Sequence, residues 1–461
     1  MLINFSVANF LSFNDRQELS MISGKVRRKA EHIQNDKNLK LLKFAAIFGA
    51  NASGKSNLVS AFDFSQALIL NGFPPGAINE YCKINPENKT KPSTFEFEIK
   101  IGKNYYAYGF DVIINQRTIT GEWLYQLNPK QPENLIFERE PQKGIFNLGQ
   151  KFKTSELDTV ATFLKTNTTK LYLHEINENK GDLYETHPEI IALRDVYRWF
   201  RDQLNINYPG FPLLQLPYLI DKNNLPKINT ILTSLGLGID ALEIVSTEMI
   251  EIRQFFKNRP EEFLKILTDL AEKIQIAKNN GEAHPEAGIM LRAPREFFIL
   301  RMGEDTSNPI AEKLRFQHKG NNAWFDLKEE SDGTRRMIEL LDLIFAAESG
   351  NSKVYIIDEI DRSLHPQLTY RLIETYLNLV DRGDMQLIVT THESHIMDLR
   401  LLRRDEIWFV EKNRNGESKL YSLDKFTARF DKKVDKAYLE GRYGSVPVFD
   451  TFFPMHAQEQ T

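Results

Sequence analysis

Three short apolar runs stand out along the chain: Phe44-Ala45-Ala46-Ile47-Phe48, Val354-Tyr355-Ile356-Ile357 and Leu387-Ile388-Val389. Continuous runs of this length predict strands buried on both faces, as in a parallel sheet. A second kind of strand shows alternation. Thr94-Phe95-Glu96-Phe97-Glu98-Ile99 alternates strictly, Tyr105 to Ile114 is aromatic and β-branched, and Gly102-Lys103-Asn104 predicts a turn between them. Leu2 to Phe13 alternates in part. Helical spacing appears from Pro188 (Ile190, Leu193, Tyr197, Phe200, Leu204) and from Pro260 (Phe263, Leu267, Leu270, Ile274), the latter ending before Gly281. Both prolines suit a first turn and Gly281 suits a helix end. Met337, Ile338, Leu340, Leu341 and Ile344 form a further buried stripe. Asn279 to Gly288 reads as a polar loop and Arg295 to Met302 as a returning strand.

Composition narrows the class. With 461 residues and 41% hydrophobic content, the chain can bury a large core and divide into a head and an inserted lobe. The single cysteine, Cys82, excludes a disulfide framework and a cysteine-based zinc site. Neither a signal peptide nor a run of about 18 apolar residues is present, so the expected location is cytoplasmic, with no membrane partner. A net charge of −4 argues against a surface coated by nucleic acid. Two basic clusters, Lys25-Val26-Arg27-Arg28-Lys29 and Arg400 with Arg403-Arg404, keep a local nucleic-acid contact open.

The chemistry lies at the ends of the apolar runs. Gly49-Ala50-Asn51-Ala52-Ser53-Gly54-Lys55-Ser56 fits G-x-x-x-x-G-K-[ST], between the first run and a helical start at Asn57-Leu58-Val59. In that context the glycines let backbone amides converge on phosphates at a positive helix end. Lys55 reaches the β- and γ-phosphates and the Ser56 hydroxyl ligates Mg²⁺. The second run ends in Asp358-Glu359. Asp358 holds the metal, and Glu359 is the candidate general base for an attacking water. The cofactors expected are therefore ATP and Mg²⁺.

Glu330-Ser331-Asp332-Gly333-Thr334-Arg335-Arg336 opens the third helix, Ile360-Asp361-Arg362-Ser363-Leu364-His365-Pro366 follows the acidic pair, and the last apolar run ends in Thr390-Thr391-His392. This order resembles the ABC-type ATPase heads of the structural-maintenance-of-chromosomes (SMC) and RecF kind. The resemblance implies an α/β P-loop head over 1–63 and 315–461, an antiparallel β arm over 64–130 and a mixed, mainly helical insertion over 131–314. It implies that Ser331 and Gly333 meet the γ-phosphate held by a second subunit, giving a homo-oligomer, and that His392 is the switch histidine. Gln116 and Gln126 are both candidates for the family's Q-loop. Ser331-Asp332-Gly333 departs from the commoner Ser-Gly-Gly and places an extra carboxylate beside the phosphate. Binding nucleotide and pairing with Asp332 are both open to Arg335 and Arg336, and neither residue is assigned a fixed role.

Asn9-Phe10-Leu11-Ser12-Phe13 looks like the opening of such heads. Asp405 to Lys412 and Lys436 to Gly444 resemble compact bacterial ATPases of phage-defence and abortive-infection systems, the group that includes relatives of the OLD (overcoming lysogenisation defect) nucleases. The function implied is an ATPase that senses infection and regulates a companion effector. A RecF-like DNA-binding ATPase of repair and a nucleotide-dependent assembly scaffold are the alternatives. About 69 residues follow His392, too few for an added nuclease domain of ordinary size.

Overall fold

The computed structural model describes residues 1–461 except 27, 37–38, 129–132, 154, 179–182, 210–216, 282–284, 294–295, 381–382, 427–433, 440–442 and 444–461. The chain divides into two compact units, the first comprising 1–209, 350–360 and 380–461, the second 210–349 and 361–379.

In the first unit the apolar runs join one six-stranded sheet. Its order is Leu204–Asn207, Val354–Ile357, Gln386–Thr391, Phe44–Phe48, Ile407–Lys412 and Ser418–Ser422. The first five strands run parallel and the last is antiparallel. A second, seven-stranded antiparallel sheet contains Leu2–Ala8, Gln17–Ser20, Ser93–Ile101, Asn104–Ile113, Thr118–Leu127, Asn134–Glu140 and Ile145–Leu148. The helix Lys55–Asn71 shares one core cluster with residues of both sheets, which is why it buries Leu58, Val59, Ala61, Phe62, Phe64, Leu68 and Ile69 rather than a single stripe. Phe5 and Phe62 stack at 3.8 Å between centroids, with Phe97 beside both. Each such fully buried ring contributes about 1.5–3 kcal/mol of transfer free energy, which fixes the helix start.

The first helical stripe behaves differently from its spacing. Pro188–Ile190 is a 3₁₀ turn, Ile191–Arg198 an α-helix and Trp199–Gln203 a π turn, after which Leu204 begins a strand instead of closing the stripe. A four-residue strand is too short for alternation to distinguish it from one more helical position. The N-terminal strand ends at Ala8, because Asn9 and Leu11 take positive φ (50° and 47°). The Asn9 amide group then donates to the carbonyls of Asn88, Lys91 and Pro92, tying down the approach to Ser93–Ile101.

The second basic cluster is not a surface patch. Arg403 is fully buried, forks onto Asp405 at 2.9 and 2.7 Å, and donates to the carbonyls of Val26, Arg28 and Lys29. Arg404 is buried against the carbonyls of Leu423 and Phe426, and Arg400 pairs with Asp398. Buried guanidinium groups need such partners, so Arg403 and Arg404 cannot reach a polyanion, while Arg400 is exposed. Lys25 and Arg28 are exposed, whereas Arg27 lies outside the described residues.

The second unit holds a five-stranded antiparallel sheet of Ile239–Thr247, Ile310–His318, Glu296–Met302, Ala287–Ala293 and Trp324–Asp326. Helices Leu225–Ser234, Met249–Phe255, Pro260–Asn279, Asp332–Ser349 and Pro366–Leu379 complete it. Pro260–Asn279 follows its predicted stripe, burying Phe263, Leu270 and Ile274, and Gly281 takes φ 79° just past its end. The strands Ile239–Thr247 and Ala287–Ala293 did not stand out in the polar and apolar pattern. Arg295 falls outside the described residues, and the returning strand begins at Glu296. Among the described residues no helix is long and apolar enough to cross a membrane.

Candidate nucleotide-binding site

The Gly49–Ser56 loop leaves the C-terminal end of Phe44–Phe48 and enters the helix Lys55–Asn71. Gly49 is required for space, since an added Cβ would run into the Val410 carbonyl and come within 2.6 Å of Ser53 Oγ. Its φ is not positive; the left-handed positions are Ala52 (59°) and Gly54 (114°). A side chain at Gly54 would collide with Ser418 and Ser12. Those two serines fasten the loop. Ser418 Oγ donates to the Ser53 carbonyl at 2.5 Å and lies 2.7 Å from Ser12 Oγ, which in turn accepts from Asn57 at 2.7 Å. Ser53 Oγ itself is buried and has no hydrogen-bond partner among the described residues. An orphaned hydroxyl inside a glycine cradle at a helix N-terminus fits a phosphate oxygen. Lys55 Nζ lies 2.8 Å from the Gly49 carbonyl, 3.1 Å from that of Ala50 and 3.4 Å from His392 Nδ1. Ser56 is exposed on the first turn.

Register brings the other first-unit residues to the same sheet edge. Gln386–Thr391 pairs with Phe44–Phe48 on one side and Val354–Ile357 on the other, all parallel, so Lys55, Asp358 and His392 follow adjacent strand ends. Thr390 organises them. Its hydroxyl donates to Asp358 Oδ1 at 2.5 Å and accepts the Glu359 amide at 2.8 Å, while its carbonyl accepts the Ile360 amide at 3.1 Å. Asp358 is buried, with its own amide on the Asn207 carbonyl at 2.9 Å. Glu359 sits at φ 48°, a conformation costing about 1–3 kcal/mol for a non-glycine residue, which turns its side chain off the strand direction. The half-buried Glu359 and exposed His392 thus flank a buried, fixed Asp358.

Thr390, Ser12 and Ser418 went unassigned in the sequence because their roles depend on contacts far apart along the chain. Asn207 and Tyr208 went unnoticed for the same reason. Tyr208 OH lies 3.4 Å from Asp63 and 3.5 Å from Ser60, both on the Lys55–Asn71 helix, and burial raises the pKa of both the phenol and the Asp63 carboxyl. Gln116 lies in the 3₁₀ turn between Asn104–Ile113 and Thr118–Leu127 and Gln126 on the latter strand, whereas the strand beside Val354–Ile357 ends in Asn207.

Thr390→Val should keep the strand and lose the hydroxyl bridge. Leaving Asp358 Oδ1 and the Glu359 amide without it costs about 1–3 kcal/mol, so roughly a 5- to 150-fold fall in steady-state ATP turnover is expected, with ATP affinity changed less. Turnover equal to the parent would show that Thr390 does not position the acidic pair.

Ser331 and Gly333 belong to the second unit. Ser331 caps the helix Asp332–Ser349, its Oγ accepting the Thr334 amide at 3.1 Å. A Cβ on Gly333 would come within 2.8 Å of the Ser363 carbonyl, so close packing alone requires glycine there. Asp332 forms an ion pair with Arg335, which also donates to the Glu330 carbonyl at 3.0 Å. Arg335 therefore neutralises the extra carboxylate. Arg336 is buried beside Glu339. Glu330, also buried, meets His318 Nε2 at 2.7 Å, and Lys313 meets Asp326 at 2.8 Å, so the unit's own sheet holds the segment ahead of Ser331.

A strand, phosphate-binding loop and helix, with an Asp-Glu pair and a histidine on adjacent parallel strand ends, define an ABC-type P-loop ATPase domain. The chain belongs to the family described as "AAA domain, putative AbiEii toxin, Type IV TA system", which matches residues 44–398. It is similar to the SMC head domain from Thermotoga maritima at 13% identity and a TM-score of 0.38, covering 91% of this chain and 98% of that one. A head structure titled "Crystal structure of the SmcHead bound to the C-winged helix domain of ScpA" matches at 12% identity and a TM-score of 0.37, over 91% of this chain and 97% of that chain. No curated protein sequence matches.

Proposed function

We propose that the protein binds and hydrolyses ATP, that two copies enclose ATP between them, and that this cycle restrains or releases a companion effector in bacterial defence against phage. The observation that carries the ATPase reading is Thr390, one side chain that fixes both the buried Asp358 and the backbone of Glu359 on the strand next to the phosphate loop. The Gly49–Ser56 amides and Lys55 cradle the phosphates. Ser56 and Asp358 would hold Mg²⁺, which when bound would neutralise phosphate charge. Glu359 accepts a proton from the attacking water, and His392, beside Lys55, meets the γ-phosphate. Ser331 and Gly333 serve the nucleotide of the other copy, and the Asp332–Arg335 pair keeps the net charge there from opposing it.

The family's description, which names a toxin–antitoxin system, supports the companion. Co-purification with the product of the neighbouring gene is expected in one nucleotide state and not in another. Absence of association in every state, with ATP turnover intact, would leave the ATPase reading and remove the regulatory one.

One observation favours a second reading, a DNA-binding repair ATPase. Buried Arg403 grips the carbonyls of residues 26, 28 and 29 and so presents Lys25 and Arg28 outward. Steeply salt-dependent DNA binding, lost on neutralising Lys25 and Arg28, would move the assignment to that reading.

A further inference from the structure

We propose that the second unit contains a separate binding site for a small oxyanion, a phosphate or carboxylate group on a metabolite, anchored by Arg301. A cavity of about 480 Å³ is lined there by Ile220, Asp221, Lys222, Asn223, Glu286, Gly288 and Arg301. That volume suits a small molecule rather than a lone ion. Arg301 is buried on the strand Glu296–Met302, and two sides of its guanidinium are fixed: Nε donates to Glu312 Oε2 at 2.5 Å and Nη2 to the Ile220 carbonyl. Its Nη1 edge is different. Among the described residues its one partner is Glu286 Oε1 at 3.9 Å, beyond hydrogen-bond length, from a side chain 59% exposed at the rim.

The fork thus offers two N–H donors to the cavity, and a rim carboxylate hovers where a planar or tetrahedral oxyanion would sit. Lys222 supports the same polarity. It pairs with the other oxygen of Glu312 at 2.6 Å, so the buried Glu312 holds both cations at the cavity wall, where Asp221 and Glu286 are the competing carboxylates. Asp221 also lines the cavity, its Oδ1 accepting the Asn223 amide at 2.9 Å. Gly288 lets Ile220 pack against the strand, since a Cβ there would come within 2.6 Å of the Ile220 side chain.

The site is wired to the Ser331 helix. Ile220 ends the short helix Pro217–Ile220, whose Tyr218 donates to the Ile338 carbonyl and stacks on Phe345 at 4.6 Å and 7°. An anion that draws on Arg301 therefore acts on a carbonyl two residues from a contact with the helix Asp332–Ser349. Only this coupling rests on the ATPase reading; binding does not.

The test uses the full-length Lys55→Ala protein, whose phosphate loop is disabled, titrated calorimetrically with inorganic phosphate and separately with citrate. Saturable binding of at least one is expected, and which one saturates distinguishes a phosphate-bearing from a carboxylate ligand. Glu286→Gln, an exposed change that spares the fold, should tighten binding about threefold or more by removing the internal competitor. Arg301→Lys, which retains a charge for Glu312 but loses the fork, should weaken it at least about tenfold. Failure of both anions to saturate, or binding unchanged in Arg301→Lys or in Glu286→Gln, would overturn the site.

Discussion

Glu359→Gln is expected to bind Mg-ATP as the parent does, to hydrolyse it roughly 10²–10⁴-fold more slowly, and to accumulate as an ATP-bound dimer. Glutamine matches glutamate in shape, so the φ of 48° and the amide bond to Thr390 can persist while the proton acceptor is lost. With turnover stopped, the enclosed state no longer drains through hydrolysis. The measurement is mass in solution with and without Mg-ATP, alongside the hydrolysis rate of both proteins. A dimer only with ATP would support the composite site. A protein that stays monomeric would remove the assignment of Ser331 and Gly333 to the other copy's nucleotide. Parent-like hydrolysis would show that Glu359 is not the base.

Lys55→Ala should act earlier, on binding. Lys55 Nζ is buried against the carbonyls of Gly49 and Ala50 at 2.8 and 3.1 Å, close to the phosphate cradle. Truncating one partner of a desolvated charge contact costs about 2–5 kcal/mol, so the ATP dissociation constant should rise roughly 30- to several-thousand-fold. Equilibrium binding of a fluorescent ATP analogue measures this directly. Because Lys55 also lies 3.4 Å from His392, the loop should keep its shape better than the site keeps its charge. An unchanged dissociation constant would sink the phosphate role of Lys55. Together the two variants separate binding from turnover.

The local motifs were legible in the sequence because each carries its own context. The apolar runs ending at Phe48, Ile357 and Val389 became central strands, and the loop after Phe48 entered a helix as its glycine spacing required. What the sequence withheld depends on distance along the chain. Leu204 read as one more helical position, yet it opens the strand whose last carbonyl, on Asn207, holds the Asp358 amide. Thr390 was visible as a hydroxyl at a strand end, but its bonds to Asp358 and Glu359 exist only once the two strands pair. Charge alone misled for Arg403 and Arg404, because a pattern of cations does not reveal burial against Asp405 and backbone carbonyls. Arg335, to which the sequence assigns no fixed role, forms an ion pair with Asp332.

The serine fastening behind the phosphate loop has a temporal side. Ser53 and Ser418 are 365 residues apart in the chain, yet the hydroxyl of one secures the carbonyl of the other. On a ribosome elongating at about 5–20 residues per second, the loop emerges roughly 20–70 s before its fastener. A nascent chain would therefore carry the nucleotide motif for much of its synthesis without the clasp that shapes it. Competence for ATP would be acquired late, when the hairpin bearing Ser418 docks.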